Sequence, residues 1–228
     1  MTIAFVQDDS SFDLWTNNSV KTLMKNLSNK KISFLVKPAL FLLSTIPFAL
    51  LIYSALTDNL GVNPVETLTH ETGEWALRFL LFTLCITPLR RLTHANWLIK
   101  LRRMLGLFAF FYAVLHFITY LWLDQFFDWQ EILIDIPKRP FITIGFISFV
   151  LLLPLALTST NAMQRRLKKK WLTLHKLVYV IPMLVVVHFI WSLKADYSEP
   201  LFYTFIFLVL MISRAIYDRK NRNIKKAS

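Results

Sequence analysis

Long runs of apolar residues alternate with short polar stretches along most of this 228-residue chain. Six runs approach the roughly 20 residues that a helix needs to cross the hydrocarbon core of a bilayer. These runs lie near residues 38–57, 73–89, 104–123, 141–158, 171–193 and 200–217. The pattern predicts an all-α membrane protein, a bundle of six transmembrane helices in a single domain without internal repeats.

The segments at the two ends of the chain are polar. Residues 1–37 contain no early apolar stretch and no small-residue cleavage site, so they lack the pattern of a signal peptide. We expect a polar cytoplasmic amino-terminal segment at residues 1–37, a transmembrane domain at residues 38–217 and a basic cytoplasmic tail at residues 218–228. The sequence suggests no function for the first of these.

The polar stretches between the runs alternate in charge. Basic residues cluster in the amino-terminal segment, in the loops after the second and fourth spans and in the tail, whereas the other loops are mostly acidic. Loops rich in Lys and Arg stay on the cytoplasmic side of a membrane. Both termini are therefore predicted to be cytoplasmic, with the acidic loops on the outer side. Lys138 and Arg139 are the main exceptions to this pattern.

Composition narrows the choice of partners. Hydrophobic residues make up 55% of the chain, above the roughly 45–50% that is usual in soluble domains. The net charge of +12 would suit nucleic acid, but the basic residues sit at the ends of apolar runs, where they anchor a protein to membrane lipid. We therefore expect membrane lipid and no nucleic acid as a partner. The single cysteine, Cys85, excludes a disulfide within the chain.

Three of the five histidines fall inside predicted spans. Ionisable residues at membrane depth are rare and usually face the interior of a bundle, where they bind something. His116 and His188 precede the outer ends of their spans by eight and six residues, so both lie about 9–12 Å below the outer boundary and can meet at one level. His175 lies near the cytoplasmic face, about 20 Å along the helix from His188.

This distribution favours haem, because a haem standing between two helices takes one imidazole from each. Two haems at different depths would carry electrons across the bilayer. Zinc fits poorly without acidic or thiol ligands nearby, and a proton-handling permease would need carboxylates within the spans, where Glu74 is the one candidate. Simple packing with one hydrogen bond per ring is the remaining alternative.

One geometric question stays open. Thirteen residues separate His175 from His188, which places them about 140° apart around an ideal helix. Either Pro182 kinks the helix between them, or the two haems contact different faces of it.

Several motifs, in the same order along residues 38–217, resemble the MsrQ (formerly YedZ) family within the ferric-reductase-like transmembrane superfamily. The motifs are NPVETLTHETGEWAL (63–77), TPLRR (87–91), RRMLGLFAFFYAVLHFITY (102–120), DIPKRPFITIG (135–145), PLALTS (154–159) and WLTLHKLVY (171–179). The resemblance implies a b-type cytochrome of the bacterial inner membrane, with His116, His175 and His188 as ligands of one or two haem b groups.

The resemblance also implies partners. Electrons would come from the quinol pool, or from a cytosolic flavin reductase, and would pass to MsrP, a periplasmic molybdenum-containing reductase that repairs methionine sulfoxide in proteins. The family is also associated with FMN. The alternative is a transmembrane electron carrier of the ferric-chelate reductase type with a different partner.

The chain departs from the wider superfamily at one place. Ferric reductases carry a second histidine thirteen or fourteen residues before the outer one in the third span, where this chain has Arg103 and Arg102. His175 therefore lacks an obvious partner across a second haem. The two arginines could bind haem propionates or a flavin phosphate, or they are ordinary cytoplasmic anchors.

The remaining histidines are assigned to loops. We expect His94 to be a surface residue, and we expect His70 to be a plain residue of the outer loop, although it could touch a quinol or a haem edge. With four glycines and no glycine-rich fingerprint, the chain is not expected to oxidise NAD(P)H by itself. Its basic loops could dock a flavoprotein and its acidic loops could dock MsrP.

Overall fold

A computed structural model describes residues 34–193 and 196–227, and every regular element in those ranges is helical. The helices in chain order are α1 (Phe34–Leu56), α2 (Pro64–Thr93), α3 (Arg102–Thr119), α4 (Trp129–Lys138), α5 (Pro140–Leu157), α6 (Asn161–Leu167), α7 (Lys169–Leu174), α8 (Leu177–Ser192) and α9 (Ser198–Ala227). A 3₁₀ turn (Asn96–Lys100) precedes α3, and a π-helical turn (Tyr120–Asp124) follows it. The prediction of an all-α protein is confirmed.

Five stretches of the described chain are long and apolar enough to cross a membrane. They are Phe34–Leu56, Asn96–Asp124, Pro140–Leu157, Lys169–Ser192 and Ser198–Lys220. Helix α2 is not among them, because Glu74 and Arg78 lie within its apolar run and lower its hydropathy. The six-span count and the cytoplasmic position of both termini stay predictions. Most of the predicted amino-terminal segment, residues 1–33, lies outside the described residues.

Helix α2 begins nine residues earlier than the apolar run suggests. Asn63 caps it by accepting a hydrogen bond from the Glu66 backbone N–H at 3.3 Å, while its own amide donates to the Glu66 carboxylate at 2.9 Å. Pro64 occupies the first helical position, where its missing N–H does no harm. His70 is consequently a helical residue, and the prediction that it lies in a loop is wrong.

A short amphipathic helix, α4, occupies the stretch that the sequence predicts as an acidic loop. Asp128 caps it, accepting hydrogen bonds from the backbone N–H groups of Gln130 and Glu131 at 3.0 and 3.2 Å. Asp135 is buried on its inner face, and Glu131 is exposed. Asp128 and Asp135 belong to the stretch predicted to dock a partner, but in the structure they stabilise this helix and its contacts.

The predicted fifth span is interrupted near its amino-terminal end. Helix α7 ends at Leu174 and α8 begins at Leu177, with His175 in the turn between them. Pro182 lies inside α8. A proline disturbs the backbone hydrogen bond to the residue four positions earlier, which here lies within α8, so the break at His175 is separate from Pro182.

The core around the site is built mainly by α2 against α3 and by α5 against α8. Stacked aromatic rings join the first pair: Phe79 lies 5.3 Å from Tyr112 and 5.6 Å from Phe108, between ring centroids. The Tyr112 hydroxyl donates to the Ser44 carbonyl at 2.8 Å and accepts from the Phe48 backbone N–H at 3.1 Å, which ties α3 to the α1 backbone around Pro47. Helix α9 packs on α2 and α8.

Candidate functional site

His116 on α3 and His188 on α8 face each other inside the bundle. Their ring centroids are 6.1 Å apart, and the ring planes are inclined by 78°. Both side chains are half-buried because each borders the same internal cavity. The structure thus brings together the two histidines that the sequence places at one depth.

A backbone carbonyl of a neighbouring helix fixes each ring. The Nδ1 atom of His116 lies 2.8 Å from the Thr69 carbonyl of α2, and that of His188 lies 2.7 Å from the Phe141 carbonyl of α5. A carbonyl oxygen can only accept, so each Nδ1 donates, and a neutral imidazole then has its lone pair on Nε2. Neither Nε2 has a hydrogen-bond partner in the described part of the chain.

Two glycines make room for the rings. A Cβ atom on Gly145 would lie 2.8 Å from both Cε1 and Nδ1 of His188, and one on Gly73 would lie 3.0 Å from Nδ1 of His116. Each glycine follows the carbonyl that orients the ring by four residues, one helical turn away. Each glycine therefore lets a helix pass directly beside a histidine that the same helix holds.

The two halves of the site share one spacing. Thr69, Gly73 and His116 recur, shifted by 72 positions, as Phe141, Gly145 and His188. These residues lie on the two most closely packed helix pairs, α2 with α3 and α5 with α8. Each of these helix pairs therefore supplies one histidine to the site, with the same spacing of carbonyl, glycine and ring.

The cavity between the histidines has a volume of about 700 Å³ and a mostly apolar wall, which is within the range of sites for small molecules and cofactors. In the described residues no group of three or more His, Cys, Asp or Glu side chains is placed to hold a metal ion. Two imidazoles alone suit a metal whose remaining ligands come from a macrocycle, as in haem.

The distance between the two rings also suits a metal that both imidazoles bind. Metal–imidazole bonds are about 2.0–2.1 Å long, and each nitrogen lies about 1.1 Å from its ring centre, so imidazoles on opposite sides of one metal have centroids about 6 Å apart. The measured separation is 6.1 Å. The separation of the two rings is therefore of the size that one metal held by both imidazoles would require.

A buried ion pair borders the cavity on the side of α9. Glu74 lines the cavity and pairs with Arg78, whose Nε donates to the Tyr203 hydroxyl at 2.7 Å. Arg78 also lies over the ring of Trp75, 4.6 Å from its centroid. The sequence identifies Glu74 as a carboxylate in a span, but not its partner, and these contacts show that it is compensated.

The structure places His175 apart from this cavity. Its ring stacks on Trp171 with centroids 3.9 Å apart, and its Nδ1 lies 3.2 Å from the Trp171 carbonyl. Arg102 is close enough to interact with it electrostatically. Arg103 donates from Nε to the Ser159 carbonyl and from Nη1 to the Asn161 side chain at 2.8 Å. The roles assigned to His175, Arg102 and Arg103 stay predictions.

The two other histidines differ in position. His70 lines the cavity, one residue after the carbonyl that orients His116. His94 is exposed in the left-handed conformation that ends α2, with φ of 54°. The surface assignment of His94 agrees with this position.

Filling the space beside His188 is expected to weaken cofactor binding. In Gly145→Ala the new methyl group must displace the ring or the helix, and such overpacking is worth about 1–3 kcal/mol, roughly ten- to a hundredfold in haem affinity. The measurement is haem titration of the apoprotein in detergent. Gly106→Ala is the matched control, because its Cβ would meet Thr83 only at 3.9 Å; equal loss in both variants would contradict the assigned role of Gly145.

Comparison with known proteins agrees with this geometry. Residues 72–198 match the family model described as "Ferric reductase like transmembrane component". Proteins named "Protein-methionine-sulfoxide reductase heme-binding subunit MsrQ" are similar over most of the chain. The protein of Herminiimonas arsenicoxydans is 53% identical over 196 residues, 85% of this chain and 90% of that protein.

Two further relatives carry the same name. The protein of Azospira oryzae is 48% identical over 79% of this chain and 78% of its own length. That of Ralstonia nicotianae is 49% identical over 77% of this chain and 82% of its own length. No solved structure is significantly similar to the chain.

Proposed function

The chain belongs to the ferric-reductase-like transmembrane family and, within it, to the MsrQ haem-binding subunits, and on this premise we propose that it is a b-type cytochrome that carries electrons across the bacterial inner membrane. The observation that supports the proposal most is the pair of facing imidazoles, His116 and His188. Both line the cavity, and neither Nε2 has a hydrogen-bond partner among the described residues.

The residues of the chain have distinct tasks in this proposal. Haem, when bound, supplies one-electron chemistry. His116 and His188 bind the iron, the carbonyls of Thr69 and Phe141 fix their orientation, and the apolar wall of the cavity excludes water. His175 would serve a second, inner haem, for which the chain supplies no evident second histidine.

The partners form the rest of the proposal. The donor is the quinol pool, or a cytosolic flavin reductase with FMN, and the acceptor is an MsrP-type periplasmic molybdoprotein that reduces methionine sulfoxide in proteins. Six spans with both termini in the cytoplasm would place the His116–His188 pair near the outer surface, close to that acceptor. Of the acidic residues on α4, only Glu131 is both exposed and free of a capping role.

The acceptor is tested with purified components. The haem-loaded chain is reduced with menadiol, and reoxidation of the haem is followed by absorbance after addition of either an MsrP-type protein with methionine sulfoxide or ferric citrate. We expect reoxidation by the first acceptor to be at least about tenfold faster, and His94→Ala to behave as the wild type. Faster reoxidation by ferric citrate would instead support the ferric-chelate reductase alternative.

A further inference from the structure

Arg139 is a basic residue where the charge pattern of the chain predicts an acidic loop. Lys138 and Arg139 follow one another at the junction of α4 and α5. Both are exposed to some degree, but their surroundings differ. Arg139 borders the cavity that contains His116 and His188, whereas Lys138 does not. In the described part of the chain, Arg139 is the only Arg or Lys that lines this cavity.

The guanidinium of Arg139 is held in one position. Its Nε lies 2.6 Å from one carboxylate oxygen of Asp135, and the Tyr120 hydroxyl donates to the other oxygen at 3.1 Å. Asp135 is 8% exposed, and Tyr120 also lines the cavity. The two terminal nitrogens of Arg139 have no hydrogen-bond or ion-pair partner among the described residues. Asp135 and Tyr120 therefore orient the guanidinium of Arg139, whose terminal N–H groups remain available to a ligand.

The position of Arg139 at the start of α5 relates it to the histidine pair. It is the residue before the helix and precedes Phe141, whose carbonyl orients His188, by two residues, and Gly145, which borders the His188 ring, by six. Arg139 lines the cavity and its side chain is 49% exposed, so it lies where the cavity meets the surface.

The charge of the cavity wall explains why a cation is needed there. The other charged side chains on the wall are acidic, namely Glu66, Glu74 and Asp124. Haem carries two propionate carboxylates, and a carboxylate taken out of water requires a hydrogen-bonded partner of opposite charge. Arginine suits this task because its planar fork matches a carboxylate with two parallel N–H bonds.

We infer that Arg139, oriented by Asp135 and Tyr120, binds a propionate carboxylate of the haem that His116 and His188 hold. The inference rests on the proposed function, since it requires haem in this cavity. It assigns Arg139 to cofactor binding and explains the basic residue in an acidic stretch. Lys138 has no such role.

The experiment compares haem with its dimethyl ester, which has no free carboxylate. Apoprotein in detergent is loaded with either porphyrin, and release into excess apomyoglobin is timed by absorbance. Arg139→Gln is expected to speed release of haem about ten- to a hundredfold, the range for loss of a charge-assisted hydrogen bond, and to leave release of the ester unchanged. Lys138→Gln, with the same loss of charge one residue away, is expected to change neither.

Four results separate the explanations. Equal acceleration of both porphyrins in Arg139→Gln would show a merely structural role, and no acceleration of either would show no contact; each overturns the inference. If Arg139→Gln does not accumulate, Arg139→Lys must show the same selective effect at smaller size, and its absence likewise overturns it. Failure of the wild type to bind either porphyrin would instead refute the proposed function.

Discussion

His188→Ala is expected to remove the low-spin haem spectrum of the purified protein. One of the two facing imidazoles that would hold the haem is then missing, so the cavity would lose much of its affinity for the cofactor. We expect at least a tenfold fall in low-spin haem per protein, measured by absorption and by the pyridine haemochrome assay. His116→Ala should behave in the same way.

Two other histidines supply the controls. His94→Ala changes an exposed residue at the end of α2 and should leave the spectrum intact. His175→Ala changes a residue that does not line the cavity, so the signal of the His116–His188 pair should persist. A full low-spin spectrum in His188→Ala, or its loss in His94→Ala, would contradict the assigned pair.

Arg78→Ala is expected to destabilise the bundle strongly. It leaves the buried Glu74 carboxylate without its cation and the Tyr203 hydroxyl without its donor. Removing one partner of a buried ion pair typically costs about 3–5 kcal/mol. The measurement is thermal unfolding of the apoprotein in detergent, where the variant should unfold at a clearly lower temperature.

The double variant Glu74→Gln with Arg78→Met should recover most of that loss, because the buried carboxylate is then a neutral amide. Only Glu71, 4.0 Å from Arg78 and 43% exposed, loses an ion-pair partner. Arg214→Ala is the surface comparison: Arg214 pairs with Asp218 at 3.7 Å and lies over Tyr179. Both side chains of this pair are partly exposed, 34% and 44%, and ion pairs in contact with solvent are worth about 1 kcal/mol or less. If Arg78→Ala lowers the unfolding temperature no more than Arg214→Ala does, the buried Glu74 carboxylate does not need Arg78 as its partner.

The sequence predicts the helices that are apolar throughout. It does not predict helices whose polar residues find capping or ion-pair partners within the fold. The start of α2 is missed because Glu66, His70 and Glu71 suggest a loop, although Asn63 and Pro64 carry a helix-start signal. Helix α4 is not predicted because its acidic residues lower the mean hydropathy of the stretch, which hides the apolar face of the helix. The sequence suggests a kink at Pro182, whereas the structure has Pro182 inside α8 and the break at His175.

The histidine pair can be predicted from the depth of the two residues in their spans. The backbone carbonyls that orient the two rings cannot be predicted in this way. Backbone carbonyls such as that of Thr69 are present at every position, so nothing in the sequence distinguishes the one that accepts from His116. Gly73 and Gly145 do carry a signal in the sequence, because both stand 43 residues before a histidine of the site. With only four glycines in the chain, this spacing could have revealed the paired helices.

The most direct test of the central claim is electron paramagnetic resonance of the purified wild-type chain, expressed with ample haem, together with its iron content. Iron held between His116 and His188 predicts a low-spin ferric signal from two nitrogen axial ligands, with at least one haem per chain. A colourless protein, or a high-spin signal alone, would contradict the account.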